Sequence, residues 1–256
     1  MISVKSTREI ELMRVAGEVV AKVFQALRPM LKSGVTTEEL DFKAEAVIRA
    51  NGCLPTFKGY GGFPGAICIS VNDTLIHGIP SSKIILHEGD IVSLDVGATY
   101  QGYCADACRT YPVGTITEKA MRLIKTTEES FFEAMKYVKD GAKLGDISEA
   151  IQNYNESRGY SLPREYTGHG VGSHLHEDPS IPNVGKKGTG PTLRAGMTLA
   201  IEPMVAEGKP NVRVLGDEWT VKMKDGKLSS HYENTIVVTE NGYEILTTLK
   251  ENLLNV

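Results

Sequence analysis

The feature that most restricts what this chain can fold into is a faint internal repeat at a constant offset of 107 residues. Lys32-Ser33-Gly34 returns as Lys139-Asp140-Gly141, Leu40 as Ile147 and Gly52 as Gly159. Further on, Gly89 matches Gly196, Leu94 matches Ile201 and Asp95 matches Glu202. Glycines are common in the chain, so chance is the competing account. The offset nevertheless recurs without a gap through stretches of helical, turn and strand character. Read as a duplication, it makes each half two helices followed by strands, with the halves facing each other across a pseudo-twofold axis. Asp95 and Glu202 then stand on opposite walls of one central cleft.

Local patterns agree with that division. Ser6 and Glu9 form a capping box, and the apolar positions Ile10, Met13, Gly17, Val20, Phe24 and Leu27 follow the helical period after it. Thr36 and Glu39 form a second box, opening a helix that stops near Asn51-Gly52. A glycine-rich passage, Gly59 to Gly65, precedes two strand-like runs, Ile91–Val96 and Tyr103–Tyr111. Helical pattern returns from about Glu118 to Val138 and from Asp146 to Ser157. Strands are expected over Met197–Val205, Trp219–Met223, Tyr232–Thr239 and Tyr243–Leu246, with Asn241-Gly242 as the last hairpin turn. A net charge of -4 gives no positive excess to mark nucleic acid as the ligand. No apolar run approaches the ~20 residues that span a bilayer. The first residues lack a signal-peptide core, and four cysteines without a CxxC pair make no disulfide scaffold. A reduced, cytoplasmic chain is expected.

Several acidic and imidazole side chains stand where they need explaining. Asp95 and Asp106 bracket a hairpin with its turn at Thr99-Tyr100-Gln101-Gly102. A symmetric turn there sets the two carboxylates directly opposite, with Cβ atoms about 4.5–5.5 Å apart. They would repel, and a cation between them removes the conflict. The other account is a solvated pair at a sheet edge, and a bulge would break the register. Glu202 and Glu233 each interrupt an otherwise apolar strand, so each needs a metal or a base such as Arg109. His169 lies in Thr167-Gly168-His169-Gly170-Val171-Gly172, where missing side chains let the imidazole approach a site, unless the segment is a flexible surface loop. Taken singly, His176 and His77 read as hydrogen-bonded structural histidines. His87 and His231 read as surface residues, although His231 shares strand parity with Glu233.

Seven segments occur in order: Ser70-Val71-Asn72 with His77-Gly78-Ile79-Pro80; Asp90 to Gly97; Ala105-Asp106 to Tyr111; Gly168 to Gly172; His176-Glu177-Asp178-Pro179; Gly196 to Pro203; and Glu233 to Val237. Together they resemble the type I, bacterial-length methionine aminopeptidases, M24-like metallopeptidases. That resemblance implies an α+β pita-bread fold: two pseudo-symmetric halves, a curved antiparallel sheet and helices on the outer face. It implies a single metallopeptidase domain over 1–256, with halves of roughly 1–115 and 116–256. It also implies two divalent metal ions (Co, Mn, Fe or Zn) on Asp95, Asp106, His169, Glu202 and Glu233. By the family pattern, Asp106 and Glu233 bridge, Asp95 chelates one metal, and His169 with Glu202 completes the other.

The resemblance further implies that Glu202 shuttles a proton, His176 donates to the developing oxyanion and His77 binds substrate near the cleaved bond. The methionine pocket maps onto Tyr60, Phe63, Cys68, Leu175 and Trp219. Cys104 and Cys108 flank Asp106 on its own side of the strand, as inert packing groups or as oxidation-sensitive thiols. The implied substrates are N-termini of nascent polypeptides with a small second residue, cut by a monomer with transient ribosome association, without nucleic acid or membrane. Three rivals share the fold: a non-catalytic peptide-binding module, an Xaa-Pro aminopeptidase and a creatinase-like hydrolase. Xaa-Pro enzymes usually carry a large extra N-terminal domain, for which this length leaves no room.

Overall fold

Both capping boxes form as their side chains dictate. Glu9 accepts from the Ser6 N–H at 2.7 Å and Ser6 Oγ accepts from the Glu9 N–H, starting α1 (Thr7–Leu27). Thr36 and Glu39 repeat the exchange at the start of α2 (Thr37–Ala50). There follow β1 (Leu54–Pro55), β2 (Cys68–Val71), β3 (Thr74–Ile76) and a long hairpin of β4 (Ile91–Tyr100) and β5 (Tyr103–Pro112). The second half opens with α3 (Glu118–Met135) and α4 (Leu144–Glu156), then β6 (Thr167–Gly170), β7 (Glu177–Pro182), β8 (Thr198–Ile201) and β9 (Met204–Ala206). It ends with β10 (Val212–Val214), β11 (Val221–Met223), β12 (Ser229–His231), β13 (Asn234–Val238) and β14 (Tyr243–Ile245). This computed structural model describes residues 2–249; Met1 and residues 250–256 of the expected 1–256 unit lie outside the described residues.

Strand pairing is antiparallel throughout the described residues. In the first half β4 pairs with β1, β2 and β5, and in the second the order is β14-β13-β8-β6-β7. Two small sheets, β10-β11-β3 and β12-β9, complete the set, so the expected curved sheet is divided into separate pieces. Each half has its own core. α1 and α2 bury their own Leu27, Leu40 and Ile48 in one, and α3 and α4 bury their own Phe131, Ile147 and Ile151 in the other. No described helix is long and apolar enough to cross a membrane.

The 107-residue offset recurs in backbone hydrogen bonds. Gly34 N–H donates to Leu86 C=O as Gly141 N–H does to Leu193 C=O, both pairs related by the offset. Cys53 N–H to Ile48 C=O and Tyr160 N–H to Asn155 C=O are related in the same way. The matched glycines are needed because the turns are left-handed: φ is +93° and +81° at Gly34 and Gly141, and +95° and +89° at Gly89 and Gly196.

Three expectations are corrected. Tyr100 pairs with Tyr103, so the β4–β5 turn is Gln101-Gly102, with φ of +46° and +85°. That two-residue turn, with both central residues left-handed, places Gly97 opposite Asp106 and Cys108 opposite Asp95. The two aspartates therefore share a face but lie diagonally, not directly opposed. The expected strand over 197–205 divides at Glu202-Pro203, because proline has no N–H for the ladder. The strand over 232–239 divides likewise, with Tyr232-Glu233 between β12 and β13. Asn241-Gly242 does join a hairpin, but within the four-residue loop between Val238 and Tyr243 and without positive φ.

Gly17 is needed for a different reason. A Cβ on this α1 residue would collide with the backbone carbonyl of Leu246. In an exposed helix, Gly→Ala gains about 1 kcal/mol, whereas overpacking costs about 1–3 kcal/mol. Gly17→Ala is therefore expected to lower the thermal unfolding midpoint. A raised midpoint would show that α1 can move away from residue 246 without cost.

Candidate active site

The two halves meet along a polar seam. Glu233 N–H donates to the Cys108 carbonyl at 3.0 Å, and Asp106 N–H donates to Thr235 Oγ1 at 3.0 Å. These bonds draw the start of β13 against β5, so that Asp106 and Glu233 face one cavity. Across the second half, Ile201 of β8 opposes Asn234 of β13. Glu202 and Glu233 stand one step beyond that last pair, where the chain leaves the ladder. His169 is on a strand and not in a loop, opposite Ala200 of β8. A Cβ at Gly168 would strike the Ala200 carbonyl, and one at Gly170 the Asp178 carbonyl. Only glycines allow β6 to fit between its neighbours and carry the imidazole inward.

Asp106, His169 and Glu233 each offer a ligand atom within 4.8 Å of the others. Asp95 and Glu202 line the same cavity. Arg109 does not serve as the neutralising base. Its guanidinium donates to the backbone carbonyls of Cys108 and Glu233 and to Asn234 Oδ1, and it stacks 4.3 Å from the Tyr232 ring centroid. Among the described residues, the basic side chains within ion-pair distance of these carboxylates are histidines.

Without a cation the group is electrostatically frustrated. Desolvation, and then Asp106, push the Asp95 carboxyl well above its ordinary range. Desolvation, Asp95 and Asp106 do the same to Glu202, and desolvation, Asp106, Glu202 and Asp95 to Glu233. Asp106 is also raised by desolvation, against the opposing pull of His169 and the Thr235 hydroxyl. Two atoms show that a cation fits. Asp95 Oδ1 is buried with no hydrogen-bond partner among the described residues. His169 Nδ1 lies 2.9 Å from the Gly170 carbonyl, which can only accept, so Nδ1 carries the proton. Nε2 then turns a lone pair toward Asp106 Oδ2 at 3.5 Å and Glu202 Oε1 at 3.6 Å. A lone pair facing two carboxylates is repulsive unless positive charge lies between them. Even a protonated His169 would set one charge against four carboxylates.

The cavity has a volume of about 140 Å³ and an apolar end. Phe63 meets Trp219 edge-on at 5.2 Å, and Phe57, Cys68 and Leu175 complete a small cluster separate from the two cores. His77 is held at φ +56°, a left-handed conformation uncommon for histidine, with its ring edge-on to Tyr166 and Trp219. His176 lies 4.4 Å from His169 between ring centroids, and its Nδ1 shares a 2.7 Å hydrogen bond with the Tyr60 hydroxyl. Burial holds both His77 and His176 down to about 4, so both are neutral at pH 7. All twelve residues singled out from the sequence line this one cavity.

Sequence reasoning missed three features here. Phe57 lines the cavity and has no motif to announce it. The Tyr60–His176 bond joins residues 116 positions apart and has no local signature. His231, read as a surface residue, is 2% exposed, held neutral by burial at about 3, and sits 3.4 Å from Glu202. Its parity with Glu233 was the one available signal. Cys68, Cys104 and Cys108 are buried with thiol pKa values raised by desolvation, so they are protonated packing groups and not reactive thiolates.

A sequence profile for metallopeptidase family M24 matches residues 11–240. The chain is similar to the methionine aminopeptidase of Clostridium acetobutylicum, 51% identical over 96% of this chain and 99% of the relative. It is also similar to methionine aminopeptidase 1 of Bacillus subtilis, at 49% identity over the same shares. Among solved structures, methionine aminopeptidase from Thermotoga maritima superposes with a TM-score of 0.96 at 47% identity, covering 97% of this chain and 100% of that one.

If a cation relieves the carboxylates, divalent metal should stabilise the fold. Chelator-treated protein is expected to melt at a lower temperature than protein with Mn(II), by an increment that grows with metal concentration. At 100-fold excess over Kd, binding to the folded state alone adds about 2.7 kcal/mol. A midpoint indifferent to Mn(II) would mean that the carboxylates relieve themselves by taking up protons.

Proposed function

The chain belongs to metallopeptidase family M24, and from that premise we propose that it removes the N-terminal methionine from polypeptides by hydrolysing the bond to residue two. The observation that carries this reading is the convergence of acidic residues from both halves with His169, beside an apolar pocket. In this reading Asp95, Asp106, His169, Glu202 and Glu233 hold two divalent ions. Oxygen-rich ligation with one imidazole suits Mn, Fe, Co or Zn. What such ions supply is Lewis acidity toward a carbonyl oxygen and a water acidic enough to attack near neutral pH.

The chain's own groups do the rest. Glu202 takes the proton released by the attacking water and passes it to the departing amine. His176 is neutral and has Nδ1 engaged by Tyr60, so Nε2 is its free nitrogen. With Tyr60 donating to Nδ1, Nε2–H is available to the oxygen of the attacked carbonyl. His77, on the same cavity, holds the substrate near the cleaved bond. Tyr60, Phe63, Cys68, Leu175 and Trp219 receive the methionine side chain, where a flexible sulfur-bearing group packs well against aromatic edges. The natural substrates in this reading are nascent polypeptides with a small second residue, met in the cytoplasm by a monomer that touches the ribosome only transiently. Similarity to methionine aminopeptidases along nearly their whole length supports it.

Assaying Met-Gly-X, Xaa-Pro and creatine side by side with Mn(II)-loaded protein tests the reading against its rivals. Turnover of Met-Gly-X alone is expected. Comparable Xaa-Pro cleavage would favour a proline-directed enzyme, and no cleavage of any substrate would favour a binding module. Separately, His176→Ala is expected to lower kcat by roughly 100-fold or more with metal content unchanged, the cost of a lost oxyanion donor. An undiminished kcat would remove His176 from that role.

A further inference from the structure

The proposed chemistry leaves one buried polar group at the cavity without a task. His231 is 2% exposed, and its Nε2 has no hydrogen-bond partner among the described residues. A buried imidazole nitrogen without a hydrogen-bond partner carries the full cost of its desolvation, so the arrangement calls for a reason. Nε2 lies near the carboxylates, 3.4 Å from Glu202 Oε2 and 3.9 Å from Glu233 Oε2. The two oxygens of Glu202 thus face different imidazoles, Oε1 toward His169 Nε2 at 3.6 Å and Oε2 toward His231.

The two rings are not equivalent. His169 gives its N–H to the Gly170 carbonyl and offers a lone pair at Nε2. His231 is not one of the compact ligand group of Asp106, His169 and Glu233, and it approaches Glu202 at the oxygen opposite the one that faces His169. Its backbone is clamped: the His231 N–H lies 3.0 Å from Thr110 Oγ1, the Thr110 hydroxyl lies 2.8 Å from the His231 carbonyl, and β12 pairs His231 with Met204 of β9. A ring on so fixed a support can set the orientation of a neighbour.

We propose that His231 is a positioning residue whose Nε2–H donates to Glu202 Oε2, turning Oε1 toward the metal position beside His169. The inference rests on the reading of Glu202 as a metal ligand and extends it by one residue. Outer hydrogen bonds of this kind typically change metal affinity by 10- to 100-fold.

Co(II) is the probe. Chelator-treated full-length protein is titrated with Co(II), reading calorimetric Kd and the visible ligand-field absorption, neither of which depends on turnover. His231→Leu removes the N–H and is expected to weaken Co(II) binding by about 10- to 100-fold. The amide nitrogen of glutamine reaches about as far as Nε2, and that of asparagine does not. His231→Gln is therefore expected to keep Kd and spectrum close to the parent, and His231→Asn to behave like the leucine variant. In a Glu202→Ala background, losing the imidazole should have no further effect. Equal losses in the Gln and Asn variants, no loss in either, or an undiminished effect without Glu202 would overturn the proposal. Should the leucine variant fail to fold, the Gln and Asn pair draws the same distinction. If Glu202→Ala itself leaves Co(II) binding intact, the ligand reading falls and this inference falls with it; if only the His231 variants are silent, the ligand reading stands.

Discussion

Four carboxylates and three imidazoles share a cavity that no lysine or arginine among the described residues neutralises, and the scaffold is organised around holding that repulsion in place. The like charges cannot be kept together by their own interactions, so the backbone does it. Glu233 and Asp106 are each fixed through their N–H groups, to Cys108 and Thr235 respectively, across the boundary between halves. Arg109 adds to this without cancelling the charge. Its guanidinium is spent on carbonyl oxygens and an aromatic face, leaving the Glu233 carboxylate free to meet a cation. An arginine turned to the carboxylates would have made a stable pair and a dead site.

The histidines divide the work by what their second nitrogen does. His169 donates at Nδ1 to a carbonyl and so presents a lone pair; His176 has Nδ1 occupied by the Tyr60 hydroxyl. Burial keeps His77, His176 and His231 neutral, which suits hydrogen-bond chemistry better than general charge stabilisation. The left-handed backbone at His77 shows local cost accepted where a side chain must point into the cavity.

What could be read in advance was what is encoded locally or repeated. The capping boxes at Ser6 and Thr36 fixed two helix starts because each is made by residues three positions apart. The glycine matches were legible because left-handed turns tolerate little else. The β4–β5 register was not, since Gln101-Gly102 is a weak turn signal beside Asn-Gly, and a neighbouring assignment looked equally symmetric. Short strands such as β3, β6 and β7 offer too few residues for alternation to be seen, and β6 is glycine-rich because of its neighbours and not its own preference. The carboxylates were legible as a set because each was anomalous in its strand. His231 was not, because its meaning depends on Glu202, 29 positions away and on another strand.

One consequence of the 107-residue repeat lies in where it fails. Asp95 and Glu202 are related by the offset, but the residue 107 positions before His169 is Gly62, so the pseudo-axis supplies no second imidazole. A perfectly twofold pocket would have identical ends and could not tell one end of an extended guest from the other. Here the imidazole beside Glu202 has no counterpart at the position that the offset would give beside Asp95. That broken mirror gives the cleft a polarity, and a polypeptide, with its amine at one terminus and carbonyls running away from it, is a molecule whose direction such a cleft can read.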